Sequence, residues 1–200
     1  MCSYRKQQPS RMALHGLKRR AGWIFRQLDR LSFGPAATPS RPFISGETHL
    51  LLGRPYRLEI RQGVVAEVQL EGGRLVVHVP APDDVTCGYQ LLAQFYASVA
   101  HRIFPERLDL VCPPFLRKGL SRPALVVRRM SKRWGSYTPR GRIVLNVDLI
   151  RASPLLIDYV ICHELAHGFY SDHGKQWRDL LNTVMPDWQV GKAHLEDLLR

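Results

Sequence analysis

The stretch His163-Glu164-Leu165-Ala166-His167 places two histidines four residues apart, and His173 follows six residues later. Side chains four residues apart lie on one face of an α-helix, so both imidazoles can reach one metal ion. Glu164 projects beside them and can act as a general base toward a water molecule at that ion. A catalytic zinc site uses three protein ligands and leaves one position open. The spacing therefore predicts that His163, His167 and His173 bind a metal and that Glu164 is catalytic.

The sequence around this motif predicts a buried helix that ends shortly after it. Ser153 is a good N-cap, and Pro154 suits the first helical turn. An apolar stripe with helical spacing follows, formed by Leu156, Ile157, Val160, Ile161 and Leu165. Residues 170–174 include Ser, Asp and Gly, which favour a turn that brings His173 back to the other two histidines. The alternative is a buried helix whose histidines are satisfied by hydrogen bonds.

Composition indicates an ordinary globular chain. Its 200 residues, 45% of them hydrophobic, suit one domain with an extension. The four cysteines are scattered without a CxxC pair, which argues against a disulfide framework and a cysteine-based zinc site. No apolar run approaches the 18 or so residues of a membrane span. These features predict a cytoplasmic protein.

The net charge of +12 is concentrated in two segments. Residues 1–30 hold eight Lys and Arg against one acid, and residues 117–142 hold nine against none. Basic patches of this kind suit phosphate-bearing partners, including nucleic acid. A solvated basic surface is the alternative.

Residues 1–46 are predicted to form a basic helix and a linker. Apolar residues recur at helical spacing from Met12 to Leu31 with Lys and Arg between them, and residues 34–46 are rich in Pro. Packing of this helix on its own domain is the favoured interpretation. A nucleic-acid arm, a membrane-surface helix and an Arg-rich transit peptide are the alternatives.

Residues 47–82 are predicted to form a β-meander, because three or four short β-prone runs are separated by glycines. His78 alternates within the last run, which favours an ordinary strand histidine over a fourth metal ligand. One apolar face then predicts a helix over residues 84–104, capped by Asp83 or Asp84 and ended by Pro105. A short helix through Leu108 and Val111 is expected next.

Residues 124–148 are predicted to form strands that lead into the metal-binding helix. Residues 124–128 and 143–147 have strand character, and Gly141 marks a hairpin. The segment from Trp134 to Tyr137 is the candidate edge strand, to which a substrate backbone could add as a further strand. A plain hairpin is the alternative. Two more helices are expected, one after His173 and one over residues 190–200.

Several of these motifs occur in an order that resembles a known family. They are Arg133-Trp134-Gly135-Ser136, Gly141-Arg142-Ile143-Val144-Leu145-Asn146, and Asp158 to His167, followed by His173 and Trp177. This order resembles the YgjP-like metallopeptidase family, which is related to the SprT-like zinc proteases. Residues 20–24 and 53–58 also look like that family's N-terminal part, so the resemblance covers about residues 12–188.

The resemblance implies an α+β fold. We expect a zincin-like domain with a small antiparallel sheet packed on the HExxH helix, preceded by the β-meander and the basic amphipathic helix. Residues 83–200 would be the metallopeptidase core, and residues 47–200 one compact unit. The chain departs from the family at Tyr137, where a cysteine is usual. It also lacks the metzincin glycine, because Tyr170 stands at that position.

The leading functional hypothesis is metal-assisted hydrolysis of a peptide bond in a peptide or protein. Zinc would be bound by the three histidines and Glu164 would be the general base, although nickel, cobalt or copper also suit three imidazoles. Candidates for stabilising the oxyanion are Tyr137, Asn146 and Tyr170. The predicted substrate-binding residues are Arg133, Trp134, Gly135, Ser136, Asn146 and Tyr170.

Two rival hypotheses keep the metal and change the substrate. The basic segment could hold phosphates through Arg128, Arg129, Lys132 or Arg133, which would suit hydrolysis of a nucleotide phosphoanhydride. Alternatively, both basic segments could dock a protease on DNA, although no helix-turn-helix or zinc-finger pattern is present. The sequence leaves the natural substrate, the metal and the oligomeric state open.

Overall fold

The computed structural model describes residues 43–81 and 83–197. The predicted basic helix over residues 12–31 and most of the linker lie outside the described residues. Seven strands are present in the described part: β1 Thr48–Leu51, β2 Arg54–Gln62, β3 Glu67–Glu71, β4 Arg74–Val79, β5 Ala124–Arg128, β6 Gly135–Thr138 and β7 Arg142–Asn146. The α-helices are α1 Val85–Val111, α2 Pro113–Arg117, α3 Pro154–Ala166, α4 Lys175–Val184 and α5 Trp188–Asp197. None of the helices within these ranges combines the length and hydropathy that a bilayer span needs.

The first four strands form a mixed sheet in the order β1-β2-β4-β3. The prediction of a simple meander is wrong in this respect, because β2 and β4 pair in parallel while the two outer pairs are antiparallel. Burial explains the order. Strand β4 carries Leu75, Val76 and Val77, which are almost completely buried, and takes a central position, whereas the largely exposed β3 takes the edge.

Helix α1 runs without interruption through Pro105. The predicted helix end at residue 104 is therefore wrong, and the short helix expected through Leu108 and Val111 is the continuation of α1. Proline in a helix interior removes one backbone hydrogen bond and costs about 3 kcal/mol. Phe104 and Leu108 lie on either side of it and are fully buried in the main core, and this burial offsets the cost. At the other end, the carboxylate of Asp84 accepts the N–H of Cys87 and caps the helix, as predicted.

The second sheet has the order β5-β7-β6 and lies next to α3. Strands β6 and β7 are antiparallel and form the predicted hairpin, but β5 and β7 are parallel, so this sheet is mixed and not wholly antiparallel. Strand β7 is central and carries Ile143, Val144 and Leu145 into the core. Strand β6 is at the edge of the sheet, beside the helix that carries the histidine motif. The α+β class of the prediction is confirmed.

Helix α3 is the centre of the main core. Every residue from Leu156 to Ala166 is buried, because α1, α4, α5 and the second sheet all pack on this helix. An ion pair links α1 to α3: the guanidinium of Arg107 donates to both carboxylate oxygens of Asp158, with an Nε–Oδ1 distance of 2.8 Å. The helix is thus fixed on all sides, which gives the side chains near its C-terminal end defined positions.

Candidate metal centre

Helix α3 begins and ends where its sequence requires. Ser153 accepts the N–H of Leu156 and Pro154 occupies the first turn, as predicted. The helix ends at Ala166. Two backbone hydrogen bonds then form turns beyond it, from the N–H of Gly168 to the carbonyl of Leu165 and from the N–H of Tyr170 to the carbonyl of Ala166. His163 therefore lies within the helix, and His167 is its C-cap.

The three predicted ligands lie together. The Nε2 atom of His163 is 3.3 Å from Nε2 of His167 and 3.1 Å from Nε2 of His173. Ligand nitrogens of all three residues lie within 4.8 Å of one another. His163 is buried, while His167 and His173 are partly exposed. The cluster is therefore open on one side.

The orientation of His167 is set by the backbone. Its Nδ1 atom lies 3.0 Å from the carbonyl oxygen of Tyr170. A carbonyl oxygen only accepts, so Nδ1 carries the proton and Nε2 presents a lone pair toward His163. Metal-binding histidines usually donate their second ring nitrogen in this manner.

The turn that carries His173 is held by two side chains. The carboxylate of Asp172 accepts the N–H of Gly174 at 2.9 Å, and Nη1 of Arg178 donates to the carbonyl of His173 at 3.1 Å. These contacts produce the return of the chain that the Ser, Asp and Gly content predicted. The sequence did not predict a role for Arg178, because its bond to the His173 carbonyl depends on α4 lying next to the turn.

One aromatic ring contacts all three imidazoles. The Trp177 ring centroid lies 4.9 Å from that of His163, 5.8 Å from His167 and 4.4 Å from His173. Trp177 is buried, and on its other side it packs edge-on against Trp188. The indole thus forms an apolar wall behind the cluster and limits the rotamers of the imidazoles.

The donor set fits a divalent ion of zinc type. Zinc–nitrogen bonds of about 2.0–2.1 Å with tetrahedral angles separate neighbouring nitrogens by about 3.3–3.4 Å. The Nε2–Nε2 distances of 3.3 and 3.1 Å around His163 are close to that value. Burial and the neighbouring imidazoles lower the pKa of His163 well below its usual value, so its ring is neutral and able to bind a metal.

Glu164 lies between the histidines and the edge strand. Its carboxylate accepts the backbone N–H of Tyr137 in β6. Gly135 makes room for it, because a Cβ atom at this position would be 2.7 Å from Cγ and 2.9 Å from Oε1 of Glu164. Burial raises the pKa of Glu164 to about 8, and the Tyr137 N–H and the charge of Arg133 partly oppose this rise. A bound cation would favour the ionised form.

These groups line one cleft of about 500 Å³. Its lining comprises Arg133, Gly135, Ser136, Tyr137, Thr138, Pro139, Gly141, His163, Glu164, His167, Gly168, Ser171 and His173. The cleft has the edge strand and hairpin on one side and the end of α3 with the following turn on the other. No local signal in the sequence pointed to Thr138, Pro139 or Gly168 as cleft residues, and Ser171 was predicted only as part of the turn before His173. They line the cleft because of the folded geometry of the β6–β7 hairpin and of the chain that follows α3.

The predicted substrate-binding residues separate into two groups. Arg133, Gly135 and Ser136 line the cleft, whereas Trp134, Asn146 and Tyr170 do not. Asn146 is completely buried, and its amide bonds to both backbone groups of Met130, to the Arg133 carbonyl and to the Asp148 N–H. Asn146 therefore supports the loop before β6, and its position outside the cleft lining does not favour the predicted contact with substrate.

Trp134 and Tyr170 have other positions. Trp134 is buried in the main core. Tyr170 bears on the site through its backbone carbonyl, which accepts from His167. His78 lies in β4, outside the cleft lining.

An α+β domain with three clustered imidazoles, a buried carboxylate and a strand edge beside them belongs to the class of metal-dependent hydrolases. The family model described as "YgjP-like, metallopeptidase domain" matches residues 5–198. The chain belongs to the YgjP-like metallopeptidase family.

Two further comparisons complete these findings. The chain is similar to the metallopeptidase zymogen jannalysin of Methanocaldococcus jannaschii, with 14% identity, a TM-score of 0.43, and coverage of 48% of this chain and 97% of that one. A comparison with curated proteins gives no match.

Proposed function

We propose that the protein is a zinc metallopeptidase in which His163, His167 and His173 bind the metal and Glu164 is the general base. The observation that carries this proposal is that the Nε2 atoms of His167 and His173 lie 3.3 and 3.1 Å from that of His163, which suits ligands of one tetrahedral ion. When bound, the ion supplies Lewis acidity toward water and toward a substrate carbonyl. The open side of the cluster leaves room for both.

Glu164 takes a proton from the attacking water and delivers it to the nitrogen of the leaving amine. Its carboxylate is held by the Tyr137 N–H, and its side chain packs closely against the backbone of Gly135. A fixed base of this kind lowers the barrier because no reorientation is needed during the reaction. The ionised form needed for proton abstraction is favoured by a nearby cation.

The edge of β6 is the proposed binding site for the substrate backbone. The backbone N–H of Asn146 donates to the carbonyl of Trp134, so these two residues form a hydrogen-bonded pair. From this pair onward, hydrogen-bonded and non-hydrogen-bonded pairs alternate along the β6–β7 register. This alternation turns the backbone groups of Gly135 and Tyr137 toward the unpaired edge. Because the Tyr137 N–H is engaged by Glu164, the carbonyl groups remain to accept bonds from a substrate strand.

Tyr137 is the strongest of the three candidates for stabilising the oxyanion. Tyr137 lines the cleft, and its ring lies close to the end of α3, because a Cβ atom added at Gly168 would be 3.1 Å from its Cζ. Burial raises the pKa of the Tyr137 hydroxyl, which keeps it protonated and able to donate. Asn146 is engaged elsewhere, and the Tyr170 side chain is outside the lining.

The rival substrates receive less support. Arg133 lines the cleft, whereas the other cations proposed to hold phosphates, Arg128, Arg129 and Lys132, are exposed outside its lining. DNA docking by the basic segments, the cytoplasmic location and the division at residues 46 and 82 remain predictions of the sequence.

The test is hydrolysis by purified, metal-loaded protein of a mixed set of quenched fluorescent peptides, with release of pyrophosphate from nucleoside triphosphates measured in parallel. We expect peptide cleavage, a metal content of one ion per chain, and loss of cleavage in Glu164→Gln with the metal retained. Glu106→Gln, an exposed change on α1, is the matched control. Pyrophosphate release without peptide cleavage, or full activity in Glu164→Gln, would refute the proposal.

A further inference from the structure

The cleft wall formed by the edge strand carries positive charge and no negative charge, because the carboxylate of Glu164 comes from α3. Residues 117–142 contain no Asp or Glu, and this segment includes β6 with the residues on both sides of it. Arg133 precedes the strand by two residues, and Arg140 stands at the hairpin tip between Pro139 and Gly141, which both line the cleft. A substrate lying along β6 therefore meets a cation near each end.

Arg133 is the cation nearest to the reacting groups. It lines the cleft, its side chain is exposed, and its positive charge acts on the carboxylate of Glu164. Within residues 43–81 and 83–197, the arginines that form ion pairs do not include Arg133; they are Arg61, Arg74, Arg107, Arg122, Arg129 and Arg151. The guanidinium of Arg133 is thus available to a ligand in a way that a paired arginine is not.

The backbone of Arg133 is also fixed. Asn146 is fully buried and donates from Nδ2 to the carbonyl of Arg133 at 3.1 Å, while the next residue but one, Gly135, lies against Glu164. A flexible side chain that starts from an anchored backbone samples a limited region of the cleft. This region lies two residues along the chain from Gly135, which contacts the proposed general base Glu164.

The opposite wall does not neutralise this charge within the cleft lining. Ser171 lines the cleft there, but the neighbouring Asp172 is outside the lining and its carboxylate caps Gly174. With a divalent ion in place, the cleft would hold that ion, one carboxylate and the Arg133 guanidinium. The net field is positive and favours an anionic ligand.

We propose that Arg133 makes this site selective for peptides that carry an acidic side chain close to the scissile bond. The inference rests on the proposed peptidase function. Addition of the substrate antiparallel to β6 is the more stable arrangement for strand pairing, and it places the later residues of the substrate beside the start of β6. The preferred Glu or Asp therefore follows the scissile bond, where its carboxylate can accept from the Arg133 guanidinium.

The experiment uses full-length, metal-loaded protein and peptides that differ only at one position after the cleaved bond, with Glu, Gln or Lys. We expect kcat/KM for the Glu peptide to exceed that for the Gln peptide about fivefold to tenfold at low salt, with the Lys peptide slowest. The ratio should fall toward one as ionic strength is raised from about 0.05 to 0.5 M, because the arginine is exposed.

Three variants locate the effect. In Arg133→Gln the Glu/Gln ratio should fall to about one, and in Arg133→Glu the Lys peptide should become the best substrate. Arg102→Gln removes an exposed charge of α1 outside the cleft lining and should keep the wild-type ratio. Binding of the same peptides to metal-loaded Glu164→Gln, followed by fluorescence anisotropy, should show the same order and so separates recognition from chemistry.

Different failures have different meanings. Equal cleavage of all three peptides, or an unchanged ratio in Arg133→Gln, overturns the selectivity while the peptidase function stands. Cleavage of none of the peptides removes the peptidase function and the selectivity with it. Displacement of the acidic peptide by short duplex DNA at much lower concentration than by a second acidic peptide would show that the basic wall serves a phosphate backbone, which also overturns the inference.

Discussion

Glu164 and Gly135 are in such close contact that a methyl group at Gly135 would lie 2.7 Å from Cγ of Glu164. Glu164 belongs to α3 and Gly135 to β6, and along the sequence β7 and a 3-10 helix stand between these two elements. The proposed base is thus packed directly on the backbone of the strand that is proposed to bind substrate. This contact fixes the distance between the carboxylate and any chain added to the edge of β6.

Gly135→Ala should therefore displace Glu164 and lower kcat by about tenfold to a hundredfold, since a shift of about 1 Å in a catalytic group has effects of that size. Metal content should stay at the wild-type level, because the three atoms nearest to the added methyl group all belong to Glu164. Steady-state kinetics and metal analysis on the same preparation provide the check. A wild-type kcat in the alanine variant would show that the carboxylate position is not critical.

Trp177→Phe should weaken zinc binding about tenfold, because the indole contacts all three imidazoles and its loss frees their rotamers. Competition with a chromophoric chelator measures the affinity. Trp188→Phe is the matched control, since this indole contacts Trp177 and its Nε1 donates to Asn182, but it does not form the wall behind the histidines. An equal loss of affinity in both variants would indicate general destabilisation.

Asn146→Ala should lower the free energy of unfolding by about 1–3 kcal/mol, because it leaves partly buried backbone groups of Met130 and Arg133 without their Asn146 partner. The loop before β6 should loosen as a result, and KM should rise. Urea unfolding and kinetics test both effects. Gln69→Ala, an exposed amide change in β3, should alter neither. An Asn146→Ala protein as stable as wild type would argue against the supporting role.

Removal of the metal should lower the melting temperature, because an ion that binds only the folded chain stabilises it by mass action. The shift should grow with the logarithm of free zinc concentration in calorimetry. His173→Ala, which removes a ligand from the partly exposed turn, should melt at the same temperature with and without chelator. A large chelator effect in that variant would point to a different metal site.

In chelator, the lowered pKa of His163 should contribute a loss of stability as the pH falls below about 6.5, while Glu164, whose pKa burial raises to about 8, takes up its proton in the folded chain and contributes in the opposite direction. His163 is held neutral in the folded chain because burial lowers its pKa well below 6.5, whereas the unfolded chain takes up a proton near that value. The unfolded state then binds more protons, and stability falls by up to about 1.4 kcal/mol per pH unit for one such group. The free energy of unfolding, measured with urea from pH 7.5 to 5, should change with pH by a less positive slope in His163→Gln than in the wild type. Equal slopes would contradict a neutral buried His163.

Local signals in the sequence predicted the helix and the turn that bring the three histidines together, while metal binding by them stays a prediction. Ser153 and Pro154 define the start of α3, and the turn residues before Gly174 predict the return that carries His173. Each of these signals depends on residues close together in the chain. The positions of the Nε2 atoms follow from helix geometry and one short turn.

The sequence could not predict strand order or long-range support. The parallel pairing of β2 with β4 depends on which strand buries the most apolar surface in the folded protein. The passage of α1 through Pro105 depends on the burial of Phe104 by residues from other elements. Asn146 looked like a polar residue at a strand end, and only the folded loop reveals that its amide is fully engaged with backbone.

The contact between Nδ1 of His167 and the Tyr170 carbonyl has a consequence for variation of this site. The acceptor belongs to the main chain, so every amino acid at position 170 provides it. Replacing Tyr170 by a residue with a smaller side chain removes side-chain surface but keeps the carbonyl oxygen that accepts from Nδ1 of His167. Mutational tolerance at this position can therefore coexist with a strictly oriented imidazole.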